Sequence, residues 1–292
     1  MAETGFQFYR YTPSTVAAVI FIILFAVSAC HHAFKIITRR TWYMIPLLIG
    51  CLFECIGYLG RALSSAESPD YTLGPYIMQS LLLLLGPTLL AASIYMMLGR
   101  LIVLLEAGEL SLIRPNWLTK VFVAGDVLSF FAQSGGGGML AQAKTADDVK
   151  RGENIILGGL GIQILFFGFF MAAILVFHWR IRSNPTRQSL TLTQPWQRFV
   201  WILYATSILI MVRSIFRVGE YVQGREGSLQ STEAYIYIFD ATLMFIVTAV
   251  LNWCHPSQVL YHNMSSLGTR SSEILAEAHG MEALRPARYQ GY

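Results

Sequence analysis

Residues 75–98 read PYIMQSLLLLLGPTLLAASIYMML and contain no charged side chain. A helix needs about 20 mostly apolar residues to cross the hydrocarbon core of a bilayer, so this run predicts a transmembrane helix. Six comparable runs occupy the rest of the chain, and the full set is 13–34, 42–63, 75–98, 117–140, 155–179, 196–218 and 234–254. Each run is too long and too uniformly apolar for a strand of an outer-membrane barrel. The predicted fold is an all-α integral membrane protein, a seven-transmembrane helix bundle.

The overall composition agrees with a chain whose surface faces lipid. Of its 292 residues, 54% are hydrophobic and only 13% are charged, whereas a soluble domain carries about 25% charged residues. The net charge of +4 is explained by basic loops on one side of the bundle, so no nucleic-acid partner is expected. The four cysteines lie within or at the ends of apolar runs, which argues against a disulfide framework.

The distribution of lysine and arginine predicts the orientation of the bundle. Cytoplasmic loops carry the excess of these residues. The predicted loops and terminal segments of one side hold twelve of them, and those of the other side hold five. The richer side holds Lys35, Arg39, Arg40, Arg114, Lys120, Arg180, Arg182, Arg187, Arg198, Arg270, Arg285 and Arg288. The poorer side holds Arg10, Lys144, Lys150, Arg151 and Arg225. The amino terminus is therefore expected outside and the carboxy terminus in the cytoplasm.

This orientation divides the chain into three parts. We expect residues 1–12 to form an extracellular amino-terminal segment and residues 13–256 to form the transmembrane bundle. Residues 257–292 are expected to form a cytoplasmic tail, flexible from about residue 263, because hydrophobic periodicity ends there. The amino terminus has no basic region or cleavage site of a signal peptide, so the first apolar run is expected to be a retained helix.

Polar side chains inside the apolar runs are the first candidates for function. A charge at the bilayer centre costs at least about 2.5–3.5 kcal/mol, so such groups normally face the bundle interior and find partners there. In the second, sixth and seventh helices they recur at spacings of three, four and seven, which places them on common faces. The candidate ligand-binding or translocation path comprises Glu54, Tyr58, Arg61, Gln79, Asp126, Gln133, Gln163, Arg213, Arg217, Glu220, Tyr237 and Asp240.

Helix geometry gives these residues an approximate depth. Most lie in the outer half of the bilayer, and Glu54 and Asp126 lie nearer the middle, so we predict a polar cavity that opens outward. Arg217 and Glu220 are close enough along one helix to pair. Arg100 belongs to the inner half, where Asp126 or lipid phosphates are its expected partners.

Each of these positions also has a simpler structural interpretation. Buried salt bridges and amide contacts fix which helix packs on which, and that role is commoner than ligand contact at any single position. The run Gly135–Gly138 lacks the Lys-Ser/Thr of a phosphate-binding loop and indicates a helix end where backbones approach closely or the chain bends. Pro87 predicts a kink that frees a backbone carbonyl toward the interior.

Several short polar motifs follow one another along the chain. They include Glu54-x-x-Gly57-Tyr58-x-x-Arg61, Tyr95-x-x-Leu98-Gly99-Arg100, Asp126-x-x-Ser129-x-x-x-Gln133-x-x-Gly136-Gly137, Gly161-x-Gln163, Arg213-x-x-Phe216-Arg217-x-x-Glu220, Glu233-x-x-x-Tyr237-x-x-Asp240 and His255-Pro256. Over about residues 10–260 this series resembles the fungal RTA-like family, the lipid-translocating exporters. The resemblance implies a seven-helix protein of the plasma membrane, or alternatively of an internal membrane, linked to resistance against toxic amphiphiles. Its implied partners are membrane lipids and an amphiphilic small molecule such as a sphingoid base, a sterol-like compound or a porphyrin.

The leading functional hypothesis is movement of such an amphiphile between leaflets or out of the cell. The arginines would hold an anionic or polar head, whereas the carboxylates would suit a cationic amine, and the sequence leaves both open. Glu54 and Asp240 are candidates for coupling this movement to protons. No cofactor, metal site or catalytic residue is predicted, so the chain is not expected to be an enzyme.

Two other classes remain as alternatives. A seven-helix lipid receptor signalling through its cytoplasmic tail would share the topology, but the last helix has no retinal-binding Lys, and rhodopsin-like Asp-Arg-Tyr and Asn-Pro-x-x-Tyr sequences are missing. A zinc-dependent lipid hydrolase would use histidine and carboxylate ligands. Its candidates near the cytoplasmic face are His31, His32, His255 and His262. No two of them have the i, i+4 spacing of a helical metal pair, which ranks the hydrolase last.

Overall fold

The computed structural model describes residues 11–143, 145–192, 196–224 and 227–254, and every regular element within them is helical. The α-helices are α1 (Thr15–Arg39), α2 (Ile45–Ala66), α3 (Leu73–Leu104), α4 (Pro115–Ala141), α5 (Ala146–Ser183), α6 (Arg187–Thr191), α7 (Trp196–Val222), α8 (Ser228–Ser231), α9 (Glu233–Ile236) and α10 (Leu243–Trp253). Short 3-10 turns occupy Trp42–Met44 and Gly108–Leu110, and a π-helix, Tyr237–Thr242, joins α9 to α10. The predicted all-α class is confirmed.

Six of the described helical stretches are long and apolar enough to cross a membrane: α1, residues 42–66, α3, α5, α7 and Glu233–Trp253. By length and composition they make the chain a multi-pass membrane protein. The remaining long helix, α4, has 27 residues but is less apolar, because it carries Asp126, Gln133 and a run of four glycines. A seventh span and the side on which each terminus lies stay predictions.

Most of the long helices run further than the sequence predicted, and α3 and α5 exceed their predicted bounds by the most. α3 continues to Leu104, and α5 begins at Ala146 and ends at Ser183. A capping box explains the early start of α5: the Thr145 hydroxyl accepts a hydrogen bond from the Asp148 amide, and the Asp148 carboxylate accepts one from the Thr145 amide. With its 38 residues, α5 is about 57 Å long and exceeds the hydrocarbon core.

Aromatic side chains from α3, α4 and α5 pack the middle of the bundle. Tyr95, Phe122, Phe167 and Phe170 are all buried, and the rings of Tyr95 and Phe170 meet edge to face with centroids 4.5 Å apart. The Tyr95 hydroxyl donates a 2.9 Å hydrogen bond to the Asp126 carboxylate. This shared cluster holds α4 between α3 and α5.

Arg100 does not pair with Asp126, contrary to one of the two predicted possibilities. Its guanidinium lies over the Tyr43 ring, 4.0 Å from the centroid. An aromatic face attracts a cation through its quadrupole. The partner of Arg100 is therefore Tyr43, in the 3-10 turn before α2, and the sequence did not indicate this contact.

The backbones of α4 and α5 approach closely at Gly136. A β-carbon there would lie 2.7 Å from the Gly152 carbonyl oxygen, whereas a β-carbon at Gly135 would meet nothing within 4 Å. The glycine run is therefore a place of close backbone approach, as predicted, but Gly136 is the position that requires it.

We expect Gly136→Ala to lower the free energy of unfolding by about 1–3 kcal/mol, because α4 or α5 must shift to admit the methyl group. Gly135→Ala is the matched control and should raise stability slightly, since alanine is the better helix former. Titration of the purified protein with SDS measures both variants. Equal stabilities would show that the two helices are not locked together at Gly136.

The segments predicted to flank the bundle lie almost entirely outside the described residues. Residues 1–10 and 255–292 belong to this group, and the expected flexibility of the tail from about residue 263 falls within it. The division into an outer segment, a bundle and a cytoplasmic tail therefore stays a prediction.

Candidate functional site

Arg213 on α7 is fixed between two acceptors deep in the bundle. Its Nε donates to Asp240 at 2.5 Å, and its Nη2 donates to the Leu83 carbonyl at 2.8 Å. Pro87 explains the second contact, because proline has no N–H to bond the carbonyl four residues earlier in α3. That carbonyl belongs to Leu83. The carbonyl that Pro87 was expected to leave without a helical partner is therefore that of Leu83, and it accepts a hydrogen bond from Arg213.

Asp240 lies in the π-helix that interrupts the last long helix. The Thr242 hydroxyl donates to the Tyr237 carbonyl at 2.7 Å within this segment. π-Helical turns are rare and occur often at functional sites. Nothing in the sequence indicated this irregularity, which contains the carboxylate partner of Arg213.

Arg61 ties the end of α2 to two distant parts of the chain. Its Nη2 lies 2.9 Å from the Glu233 carboxylate and 2.8 Å from the Tyr11 hydroxyl, and its Nε donates to the Tyr237 hydroxyl at 3.0 Å. Burial raises the pKa of the Tyr11 phenol, which stays neutral, so Glu233 is the charged partner. The Glu233 carboxylate also accepts hydrogen bonds from the Ser14 amide. The residues before α1 are thereby held against the end of the bundle.

A third ion pair lies along α7. The Nη1 of Arg217 is 2.8 Å from the Oε2 of Glu220, which confirms the predicted pairing. Each of the three arginines of the predicted path, Arg61, Arg213 and Arg217, is thus bonded to a carboxylate.

These ion pairs border a cavity of about 390 Å³ at the end of the bundle that carries the amino-terminal segment. Its charged lining residues are Arg61, Glu153, Arg213, Arg217, Glu220 and Asp240. Its other polar side chains are Tyr11, Tyr76, Gln79, Ser80, Gln133, Ser134, Tyr221 and Gln230. The apolar side chains are Ile77, Leu81, Leu83, Leu84, Leu140, Ile156 and Ile236, and Gly137 and Gly138 contribute backbone.

The cavity reaches the flank of the bundle between α3 and α4. Ile77 and Ser80 on α3 and Gly138 on α4 line it and are also exposed. The apolar residues Leu81 and Leu84 lie further along the same wall of α3. The cavity therefore joins a charged interior to a side opening with apolar walls.

Seven of the twelve predicted site residues line this cavity: Arg61, Gln79, Gln133, Arg213, Arg217, Glu220 and Asp240. The other five, Glu54, Tyr58, Asp126, Gln163 and Tyr237, do not. Gln163 accepts a hydrogen bond from the lining side chain of Gln133 at 3.3 Å, and Tyr237 accepts one from Arg61. Asp126 belongs instead to the aromatic cluster around Tyr95.

Glu54 is a buried acid behind the lining. It is 0% exposed, and neither carboxylate oxygen has a hydrogen-bond partner among the described residues. Gly86 provides the space it occupies, since a β-carbon there would lie 2.7 Å from the Glu54 Oε1. The carboxyl lies within electrostatic range of Arg213 and Asp240. Burying a polar group without a hydrogen bond lowers the stability of the fold. Packing alone therefore does not explain why this position holds a glutamate.

Tyr58 and Tyr237 belong to an aromatic stack beside Glu54. The Tyr58 ring lies parallel to Phe25 with centroids 5.9 Å apart, and the Tyr237 ring lies parallel to Phe21 at 5.4 Å. The two tyrosine rings are themselves stacked at 6.1 Å. This stack joins α1, α2 and the π-helix.

Several lining residues are not among the twelve predicted from the sequence, and Glu153 is the most consequential of them. The predicted fifth helix began at residue 155, which assigned Glu153 to a loop, whereas α5 begins at Ala146. The capping box of Thr145 and Asp148 was the signal that could have found it. Tyr11 was missed because it precedes the first apolar run.

Of the four histidines named for a hydrolase, only His31 and His32 lie among the described residues. No group of three or more His, Cys, Asp or Glu residues there could hold a metal ion. The Nε2 of His32 bonds the Thr248 carbonyl at 3.2 Å. His255 and His262 lie outside the described residues.

Comparison with known proteins relates this architecture to fungal membrane proteins. A family model described as RTA1 like protein matches residues 47–263. Protoporphyrin uptake protein 1 of Saccharomyces cerevisiae is 37% identical, over 84% of this chain and 90% of the relative. The probable lipid transporter atnI of Emericella nidulans is 30% identical, over 86% and 68%. Sphingoid long-chain base transporter RSB1 of S. cerevisiae is 25% identical, over 82% and 70%. No solved structure matches the chain.

Proposed function

The chain belongs to the RTA1-like family of fungal membrane proteins, and on that premise we propose that it moves an amphiphile across the membrane through the cavity. Relatives named as a probable lipid transporter and a sphingoid long-chain base transporter support lipid translocation at the level of the family. The relative named for protoporphyrin uptake extends the candidate ligands to porphyrins. The proposed activity is transport and not catalysis.

The shape of the cavity is the observation that carries this proposal. An amphiphile needs a polar place for its head and an apolar route for its tail. The three ion pairs and Gln133 provide the first, and the opening beside Ile77 and Leu81 provides the second. The head would bind in the interior while the tail stays in the lipid at the flank.

The proposed membrane arrangement has seven spans, with α4 as the seventh. α4 is packed between two apolar helices through the Tyr95 cluster and through Gly136, so it shares their depth. Loop charges support an outside amino terminus, with residues 1–12 outside, residues 257–292 in the cytoplasm and the cavity open outward. The plasma membrane is the proposed location.

The twelve residues chosen from the sequence divide into two roles in this proposal. The seven that line the cavity contact the head during its passage. Glu54, Tyr58, Gln163 and Tyr237 hold the lining in place from behind, and Asp126 fixes α4 through Tyr95. Glu54, unpaired next to Arg213 and Asp240, is the residue proposed to couple movement to protons.

Reconstitution tests the proposed function directly. Purified protein is placed in liposomes that carry an NBD-labelled long-chain base in both leaflets, and a membrane-impermeant reductant is added outside. Movement between leaflets exposes the inner label, so protein-containing liposomes should lose all fluorescence, whereas empty liposomes should keep about half.

Two arginine variants make this test specific. Arg217→Gln removes one charge of the cavity wall and should slow the loss of the protected half. Arg182→Gln removes a charge from the exposed opposite end of α5 and should behave as the wild type. Protected fluorescence equal to that of empty liposomes in all samples would contradict transport and favour the receptor alternative.

A further inference from the structure

The described charges around the cavity do not balance. Arg61, Arg213 and Arg217 are each bonded to one carboxylate, supplied by Glu233, Asp240 and Glu220 respectively. These six groups sum to zero. Glu153 also lines the cavity, and no cationic side chain of the described residues lies within 4.0 Å of it. Counted together with Glu233, which binds Arg61 from outside the lining, the described groups around the cavity therefore carry one carboxylate in excess.

Glu153 is placed to contact a bound molecule. It is half-buried on α5, one helical turn before the lining residue Ile156. It lies within electrostatic range of Tyr221 on α7. Its carboxylate thus lines the same cavity as the arginine pairs and is accessible to a head bound there.

The aromatic residues of the wall also suit a positive charge. The Arg217 guanidinium lies over the Tyr221 ring, 5.5 Å from the centroid, so a face of this tyrosine already holds a cation. Tyr76 on α3 contributes a second aromatic side chain to the lining. Aromatic rings beside a carboxylate are the surroundings that bind alkylammonium groups.

An anionic head is the competing possibility. The Nε of Arg217 is buried without a hydrogen-bond partner among the described residues and could donate to it. The charge of Arg217 is already balanced by Glu220, however, and a second carboxylate would add to the excess negative charge of the wall. A neutral oxygen, such as a hydroxyl of the ligand, would satisfy this Nε without that repulsion.

We propose that Glu153 is the headgroup-recognition residue of the cavity and that the amphiphile it selects carries an alkylammonium head. This inference rests on the proposed function, since it names the ligand class of the same cavity. It separates the candidate ligands by charge: an amphiphilic amine is selected over a carboxylate of equal chain length.

Binding of three matched amphiphiles tests this assignment. Radiolabelled octadecylamine, octadecanol and octadecanoate are titrated at pH 7 into full-length protein in nanodiscs, with empty nanodiscs as the background. We expect the amine to bind the wild type at least about tenfold more tightly than the alcohol, because its ammonium forms a charge-assisted hydrogen bond with Glu153. Octadecanoate should bind more weakly than the alcohol.

Two acidic residues of α5 provide the variant and its control. Glu153→Gln should remove the preference for the amine while leaving alcohol binding unchanged, which also shows that the variant is folded. Asp147→Asn makes the same change of charge at an exposed position outside the cavity and should keep the preference.

Each other outcome has a definite meaning. Tighter binding of octadecanoate than of the amine, or an amine preference that survives Glu153→Gln, would overturn the inference and leave the transport proposal standing. Absence of specific binding for all three amphiphiles in the wild type would overturn both.

Discussion

Gly137→Trp is expected to stop amphiphile movement while leaving the fold intact. Gly137 lines the cavity, and a β-carbon there would meet nothing within 4 Å. Because Gly137 lines the cavity, an indole on this atom is expected to extend into the cavity and narrow it. Since tryptophan is a better helix former than glycine, α4 itself should not be weakened. The liposome assay should show protected fluorescence close to that of empty liposomes.

The control for this variant is two residues away. Gly135 has the same open surroundings, but it does not line the cavity, so Gly135→Trp should translocate at the wild-type rate. Both variants should unfold at the same SDS concentration as the wild type or a higher one. If Gly137→Trp translocates as fast as Gly135→Trp, the amphiphile does not pass through this cavity.

Asp240→Asn is expected to cause the largest loss of stability among single conservative changes in the bundle. The Arg213 guanidinium would keep its charge in a buried place with only the Leu83 carbonyl and a neutral amide as acceptors. Removing one partner of a buried pair costs about 3–5 kcal/mol, because the remaining charge is left uncompensated. SDS titration should show this difference against the wild type.

Replacement of both partners provides the control for Asp240→Asn. Arg213→Met with Asp240→Leu removes both charges and should recover most of the loss, since apolar side chains can replace a buried pair at little cost. Glu220→Gln, at a more exposed pair, should cost less than Asp240→Asn.

Glu54 is a possible substitute partner for Arg213, since it lies within electrostatic range and has no hydrogen bond of its own. If Asp240→Asn is as stable as the wild type, the addition of Glu54→Gln distinguishes two explanations. A large loss in the double variant would show that Arg213 had moved to Glu54. No loss would contradict the importance of the buried pair itself.

The pairing of charges shows how far sequence reasoning reaches. Arg217 and Glu220 are three residues apart on one helix, so their contact follows from helix geometry. Arg61 and Glu233 are 172 residues apart, and Arg213 and Asp240 are 27 apart across two helices. Such contacts depend on helix rotation and relative height, which a single sequence does not contain.

Helix boundaries decided which site residues were found. The apolar runs identified every long helix, because the bilayer demands length and apolarity at each crossing. They did not mark where a helix continues beyond the lipid core, and α5 extends nine residues before the predicted start at 155. Glu153 lies in that extension and was therefore not predicted as a site residue, although the capping box of Thr145 and Asp148 marks the start of α5.

By itself, the sequence determined that this chain is a helical membrane protein whose scattered polar residues must face its interior, since lipid cannot solvate them. It also determined the family through an ordered series of motifs. The tertiary structure alone decided which polar groups meet, which seven of twelve border a cavity, and that Glu54 and Glu153 remain without an ion-pair partner among the described residues. Packing geometry makes those choices, because side chains that share a helical face can still end at different depths and against different neighbours.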